Sequence, residues 1–183
     1  VSSLRAQYYT DQNKVWAFGN HGGLDFTSGT PVPFYSAINQ EEGSASVCNS
    51  AGSLLFYTDG KNVYNRTGSI MPNGGSIVSY LTRSSTQGAL IVPFISNPNR
   101  YYVFSLEECC TGNLRYSVVD MTMDGGNGDV VPGLTGVYLA TGLSEKMTAV
   151  AGNNCDVWLL THRKDSAVFW AFNITSAGIS GPV

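Results

Sequence analysis

ALIVPFISNPNRYYVFSLEECCTGNLRYSVVDMT, residues 89–122, decides the fold. Three runs rich in aliphatic and aromatic residues stand in it: Ala89–Ile95, Arg100–Leu106 and Leu114–Thr122. Asn97-Pro98-Asn99 separates the first two, and Asp124-Gly125-Gly126 follows the third before a short fourth run, Gly128–Val131. Helical periodicity is scarce, and β-branched and aromatic runs bounded by Gly, Pro and Asn read as strands joined by turns.

The same order recurs on both sides. Upstream lie Ser44–Cys48, Leu54–Thr58, Asn62–Arg66 and Ser69–Met71, with turns at Asp59-Gly60 and Asn73-Gly74-Gly75. Downstream lie Met147–Ala151, Asp156–Thr161, Val168–Thr175 and Gly178–Val183. Before them all, Val15–Gly19, Leu24–Thr27 and Pro31–Tyr35 match the second to fourth strands of a unit, and Leu4–Tyr9 is the candidate first strand. Four-stranded units recurring every roughly 40–50 residues are the pattern of β-propeller blades. A single antiparallel sheet cannot cover both its faces, so such sheets stack and bury them against neighbours. The expectation is one all-β domain over residues 1–183, with blades near 4–36, 44–72, 89–132 and 147–183. Three clear blades and one partial blade suit a piece of a larger propeller, or one closed by another copy. A β-sandwich is the alternative.

Composition narrows the function. Only 13% of the 183 residues are charged, against 43% hydrophobic, and the net charge is −3. No Lys/Arg cluster offers the phosphate-neutralising footprint of a nucleic-acid binder. No apolar run approaches the roughly 20 residues needed to span a bilayer. Few Lys and many Ser, Thr, Asn and Gly suit an extracellular protein, whose signal peptide is then expected to have been removed before residue 1. The four cysteines show no zinc-ligand spacing, and no cofactor is expected.

A set of motifs carries a resemblance. Phe18-Gly19-Asn20 precedes Gly23-Leu24-Asp25-Phe26, and Leu54–Gly60 precedes Met71-Pro72-Asn73-Gly74. Ser84-Ser85-Thr86-Gln87 with Ile91-Val92-Pro93, Leu114–Met121, Ser144-Glu145-Lys146 and Trp158–His162 follow. In this order, over nearly the whole chain, they resemble the N-terminal propeller-like region of large Bacteroidetes surface proteins. Those proteins carry C-terminal sorting domains for type IX secretion and are often labelled gliding-motility-associated. The resemblance implies export to the cell surface or medium and brings no established catalytic residues. The resemblance places such a sorting domain outside residues 1–183, so the mode of attachment is not expected to be written in this stretch.

The expected function is a non-catalytic secreted or cell-surface module for adhesion or surface assembly, contacting glycans, proteins or copies of itself. Open strand edges at Leu4–Tyr9 or Ile179–Val183 are expected to recruit another strand. The rival is an extracellular propeller hydrolase acting on glycans. Propeller geometry gathers two loop sets on one rim: those entering each first strand and those after each second strand. Most Ser, Thr, Gln and Glu there are expected to tie one blade to the next. The exposed remainder, Asp59, Lys61, His162 and Arg163, is the candidate ligand-contact set.

Other motifs carry weaker alternatives. His21 and His162 could serve as bases for Ser84 or Ser144, oriented by Asp59 or Asp165, but no nucleophile-elbow signature accompanies them. Glu41-Glu42 and Glu107-Glu108 are adjacent on extended chain and point to opposite sides, so neither pair flanks one bond. Asp124–Asp129 offers oxygens for calcium, yet lacks the closing Glu of an EF-hand and reads equally as a Gly-rich turn. Asp165-Ser166-Ala167 resembles a short O-glycosylation motif centred on Ser166. Asn65-Arg66-Thr67 and Asn173-Ile174-Thr175 fit the N-glycosylation pattern by chance. A vicinal disulfide is expected between Cys109 and Cys110, with Cys48 and Cys155 too far apart to pair.

Overall fold

The computed structural model describes residues 11–78, 84–108 and 111–183. It is all-β, with four antiparallel sheets in chain order. The first sheet holds β1 (Val15–Phe18), β2 (Asn20–Asp25) and β3 (Val32–Asn39). The second holds β4 (Ala45–Cys48), β5 (Leu54–Thr58) and β6 (Val63–Asn65). The third holds β7 (Ala89–Pro93), β8 (Arg100–Leu106), β9 (Leu114–Asp120), β10 (Asp129–Val130) and β11 (Val137–Ala140). The fourth is β12 (Leu143–Ala151), β13 (Val157–Arg163), β14 (Phe169–Thr175) and β15 (Gly178–Pro182). Within each sheet neighbouring strands follow one another along the chain, β11 excepted, so every unit is a meander.

Strand alternation explains how the sheets bury one another. On β8, Tyr102, Phe104 and Leu106 join a cluster with Leu143, Met147, Leu159 and Phe172 of the fourth sheet. The intervening Tyr101 and Val103 join Val47 and Phe56 of the second, together with Met71 from the loop that follows it. Ala17 and Ile38 of the first sheet meet Tyr57 and Tyr64 of the second. Successive side chains on a strand point to opposite faces, so a run such as YYVFSL, apolar at nearly every position, supplies two packing faces at once. Each fully buried Phe, Leu or Ile in these clusters contributes roughly 1.5–3 kcal/mol.

The first strands of successive sheets touch: β1 lies against β4, β4 against β7, and β7 against β12. This corrects the assignment of Val15–Gly19 as a second strand. It occupies the first-strand place, and Leu4–Tyr9, the candidate for that place, lies outside the described residues. Other boundaries shift as well. β2 begins at Asn20 and β3 runs to Asn39. Ser69–Met71 is reduced to a single bridge between Tyr64 and Ile70. Val137–Ala140, unassigned from sequence, is a strand. The outer edge of β9 is shared, its Val119–Asp120 pairing with β10 and its Leu114–Tyr116 with β11. β12 starts at Leu143, so Ser144, Glu145 and Lys146 are strand residues rather than a loop.

Polar ties join the sheets at the rim where chains enter the first strands. The Gly43 amide donates to the Ser85 carbonyl at 3.0 Å, and the Ser85 hydroxyl donates to the Leu106 carbonyl at 2.8 Å. One Glu145 carboxylate oxygen accepts from both the amide and the hydroxyl of Thr86 at 3.1 Å. The Gln87 side-chain carbonyl accepts the Met147 amide at 3.0 Å. The Ser105 hydroxyl donates to the Gly60 carbonyl at 2.6 Å. Residues of this rim therefore hold one sheet to the next, which is the role expected for most of them.

Candidate binding surface

The four residues expected to contact ligand stand in different local surroundings. Asp59 was expected to be exposed and is instead buried. Its Oδ1 accepts the amides of Lys61 and Asn62 at 2.9 and 2.6 Å, and its Oδ2 accepts Asn62 Nδ2 and the Tyr64 hydroxyl at 3.2 and 3.1 Å. A short carboxylate two residues before a turn amide does what a backbone turn would do, and that use consumes it. Burial and the adjacent Asp59 charge push the Tyr64 phenol up to about 12. Lys61 is half-buried in the turn that Asp59 closes.

His162 and Arg163 are neighbours at the end of β13 and point to opposite faces. His162 pairs across the ladder with Phe169 and packs on its ring edge-on at 4.8 Å. The Arg163 guanidinium lies over the Trp170 ring, 5.0 Å from its centroid, a cation–π contact. Ser144 Oγ stands 3.2 Å from His162 Nδ1, so the structure does join one Ser–His pair. Asp165, proposed to orient the base, sits at the turn of the β13–β14 hairpin. Among the described residues no carboxylate bonds to His162.

Other carboxylates are also committed to structure. Asp25 is held below the usual carboxylate range by the Thr27 side chain and amide. Burial alone would raise Asp120, but bonds from Thr122 and Arg100 outweigh it and hold it low. Asn173 Nδ2, then the Asn154 amide, lower Asp156. Asn65, the first residue of one glycosylation pattern, is buried, its Oδ1 accepting from Thr67 and Ser69. In the candidate calcium loop, Asp129 is buried and turned onto Asn73, accepting its amide at 2.8 Å and its Nδ2 at 2.6 Å. Asp124 opens a one-turn 3-10 segment. Among the described residues no three His, Cys, Asp or Glu side chains gather as a metal-ligand set. Ser166 lies in the hairpin turn, its hydroxyl accepting the Val168 amide at 3.2 Å. Cys48 is buried and Cys155 exposed; both are free thiols. Cys109 and Cys110, the expected vicinal pair, lie outside the described residues.

What the molecule does expose is aromatic. The first sheet buries Val15 and Ala17 and turns Trp16 (50% exposed) and Phe18 the other way. Tyr35, opposite Gly22 on the same face, is 76% exposed. His21 stacks on it with ring centroids 4.7 Å apart and planes within 9°. His21 adopts φ +62°, the left-handed region, at the register shift between Asn20 and Gly22, and its Nδ1 lies 3.1 Å from the Ser36 carbonyl. A non-glycine residue held at positive φ marks a locally constrained position. The fourth sheet presents a second free face, with Val150, Trp158, Leu160 and Phe169 at alternate positions opposite to the buried Leu159 and Phe172. Beside it, Gln87, Lys146, Met147, Leu160, His162 and Phe169 line a recess of about 210 Å³. Trp16, Phe18 and Tyr35 are not among the contact residues expected from sequence. The available signal was VWAF at 15–18, a strand with no polar face.

No protein-family model matches the chain, and neither a curated protein nor a solved structure matches it. No helix among the described residues is long and apolar enough to cross a membrane.

Proposed function

We propose that this chain is a non-catalytic binding and scaffold module of propeller type, exported to the cell surface or medium, where it serves adhesion or surface assembly. The radial arrangement draws support from the chain of first-strand contacts, β1 to β4 to β7 to β12. Export and type IX secretion draw support from the motif resemblance alone. The observation that carries the function is the exposed aromatic surface of the first sheet, with Tyr35 braced by His21 and Trp16 and Phe18 beside it. Broad, shallow aromatic faces on a rigid scaffold suit contact with another surface, whether a sugar ring or a protein. An extracellular glycan hydrolase would need an acid and its partner across one bond, whereas Asp25, Asp59, Asp120 and Asp156 are tied into turns.

The test is binding of the purified chain to a glycan array and to intact bacterial cells. Tyr35→Ala and Trp16→Ala should each lower binding roughly tenfold, a hot-spot loss, while leaving thermal unfolding nearly unchanged. Lys61→Ala, His162→Ala and Arg163→Ala test the rim in the same assay. A wild-type chain that binds neither surface and does not self-associate would overturn the reading.

A further inference from the structure

Each internal junction of the fold has two sides. One sheet offers a leading face and the next covers it with a trailing face. The leading face of the second sheet carries Phe56, which meets Tyr101 and Val103 on the trailing face of the third. The leading face of the third carries Tyr102 and Phe104, which meet Leu159 and Phe172 on the trailing face of the fourth. The fourth sheet has a leading face of the same make. Trp158 and Leu160 stand on β13 at alternating positions, as Tyr102 and Phe104 do on β8, and Phe169 and Val150 extend the surface. Nothing among the described residues covers it as the other leading faces are covered: each of the three core clusters joins sheets adjacent in the chain, and none joins the fourth to the first.

At the other end the trailing face of the first sheet bears Trp16, Phe18, Leu24 and Tyr35, and no sheet among the described residues covers it. The two free faces are of opposite sense. The fourth sheet of one molecule and the first sheet of another stand in the same order as any consecutive pair within the chain. Exposed apolar faces of this extent on a soluble protein mark contact surfaces.

We propose that the occupant of both faces is a second copy of this chain, joined head to tail, so that two copies close a ring of eight sheets. Continuity with the three established junctions argues for this partner over an unrelated one. The geometry is heterologous, since the fourth-sheet face of each copy meets the first-sheet face of the other, and two such junctions close on themselves under two-fold symmetry. Four to eight sheets is the usual range for radial closure, and two copies of four reach its upper limit. The contact runs face to face, distinct from the strand-edge pairing expected at Ile179–Val183. The inference rests on the scaffold reading above and specifies its partner.

Light scattering on the eluting chain tests it. The wild type should have twice the 19.6 kDa mass of one chain at micromolar concentration. Phe169→Glu charges the fourth-sheet face and Tyr35→Glu the first-sheet face. Both side chains are largely exposed, at 66% and 76%, so neither change should disturb the fold, which circular dichroism checks. Each variant alone should dissociate, its association weakened roughly 100-fold, as for a central apolar anchor. An equimolar mixture of the two should recover a pair, because one junction then joins two intact faces. A wild-type monomer overturns the inference, and if that monomer still binds glycans or cells the scaffold reading stands without it. A wild-type pair unaffected by either substitution places the contact elsewhere, and failure of the mixture to recover excludes head-to-tail order.

Discussion

Leu159 and Leu160 are adjacent on β13 and should differ sharply in what their removal does. Leu159 is fully buried, paired across the ladder with Ala149 and Phe172 and clustered with Phe104 and Leu106 of the third sheet. Leu160 points the other way, onto the free face of the fourth sheet, and is half-buried. Truncation of either to Ala removes three carbons, worth about 2.4 kcal/mol of transfer at about 0.8 kcal/mol per methylene when fully buried. At Leu159 the surrounding sheets are closed on both sides, so a cavity remains and adds to this, bringing the cost to about 3–5 kcal/mol. At Leu160 about half the transfer applies and no closed cavity forms, so the cost falls near 1 kcal/mol. Urea unfolding followed by circular dichroism measures both, at a protein concentration low enough to hold a single copy. At higher concentration the Leu160→Ala penalty should grow while the Leu159→Ala penalty stays fixed, because in the proposed pair only the former face meets a second molecule. Equal losses for the two leucines, or a Leu159→Ala loss below about 1 kcal/mol, would refute the alternation on which the sheet stacking rests.

Further outcomes follow from single sites. Gly43→Ala should destabilise severely or prevent folding, since a Cβ there would collide with the backbone of Gly88, just before the first strand of the third sheet; thermal melts report it. Stability should fall as pH rises from about 10 to 12. The Tyr64 phenol is raised in the fold, so its contribution is complete below the unfolded value and is lost as the folded group ionises, by roughly 2–3 kcal/mol at most. Tyr64→Phe should make that alkaline limb shallower in urea titrations, the remainder coming from Tyr57, Tyr101 and Tyr102, whose phenols burial also pushes up. The exposed Cys155 should react with a thiol reagent in the native state, whereas Cys48, buried and with its thiol pushed up by that burial, should react only on unfolding. Simultaneous labelling of both would contradict the packing of β4.

The sequence alone determined the all-β class and the order of the antiparallel sheets along the chain, because both follow from local rules. Short β-branched and aromatic runs prefer extended chain, and Asp-Gly, Asn-Gly and Asn-Pro pairs mark where it turns. Residues such as Tyr101–Leu106, apolar on both parities, already announced a sheet covered on two sides. The place of Val15–Phe18 as a first strand was not legible, since strand order within a unit depends on which neighbour a strand meets. The β11 strand escaped notice because it shares the edge of β9 with β10 and leaves the repeat pattern there. The site was least legible of all. Asp59 looks like an exposed rim carboxylate in sequence, and only the folded turn shows its oxygens taken by Lys61, Asn62 and Tyr64. His162 and Arg163 look like one basic pair, and the pleat sends them to opposite faces. Conversely, Trp16, Phe18 and Tyr35 read as ordinary core residues. Whether an apolar strand residue is buried depends on a neighbouring sheet being there to cover it, and that is a property of the assembled stack, which no local stretch of chain encodes.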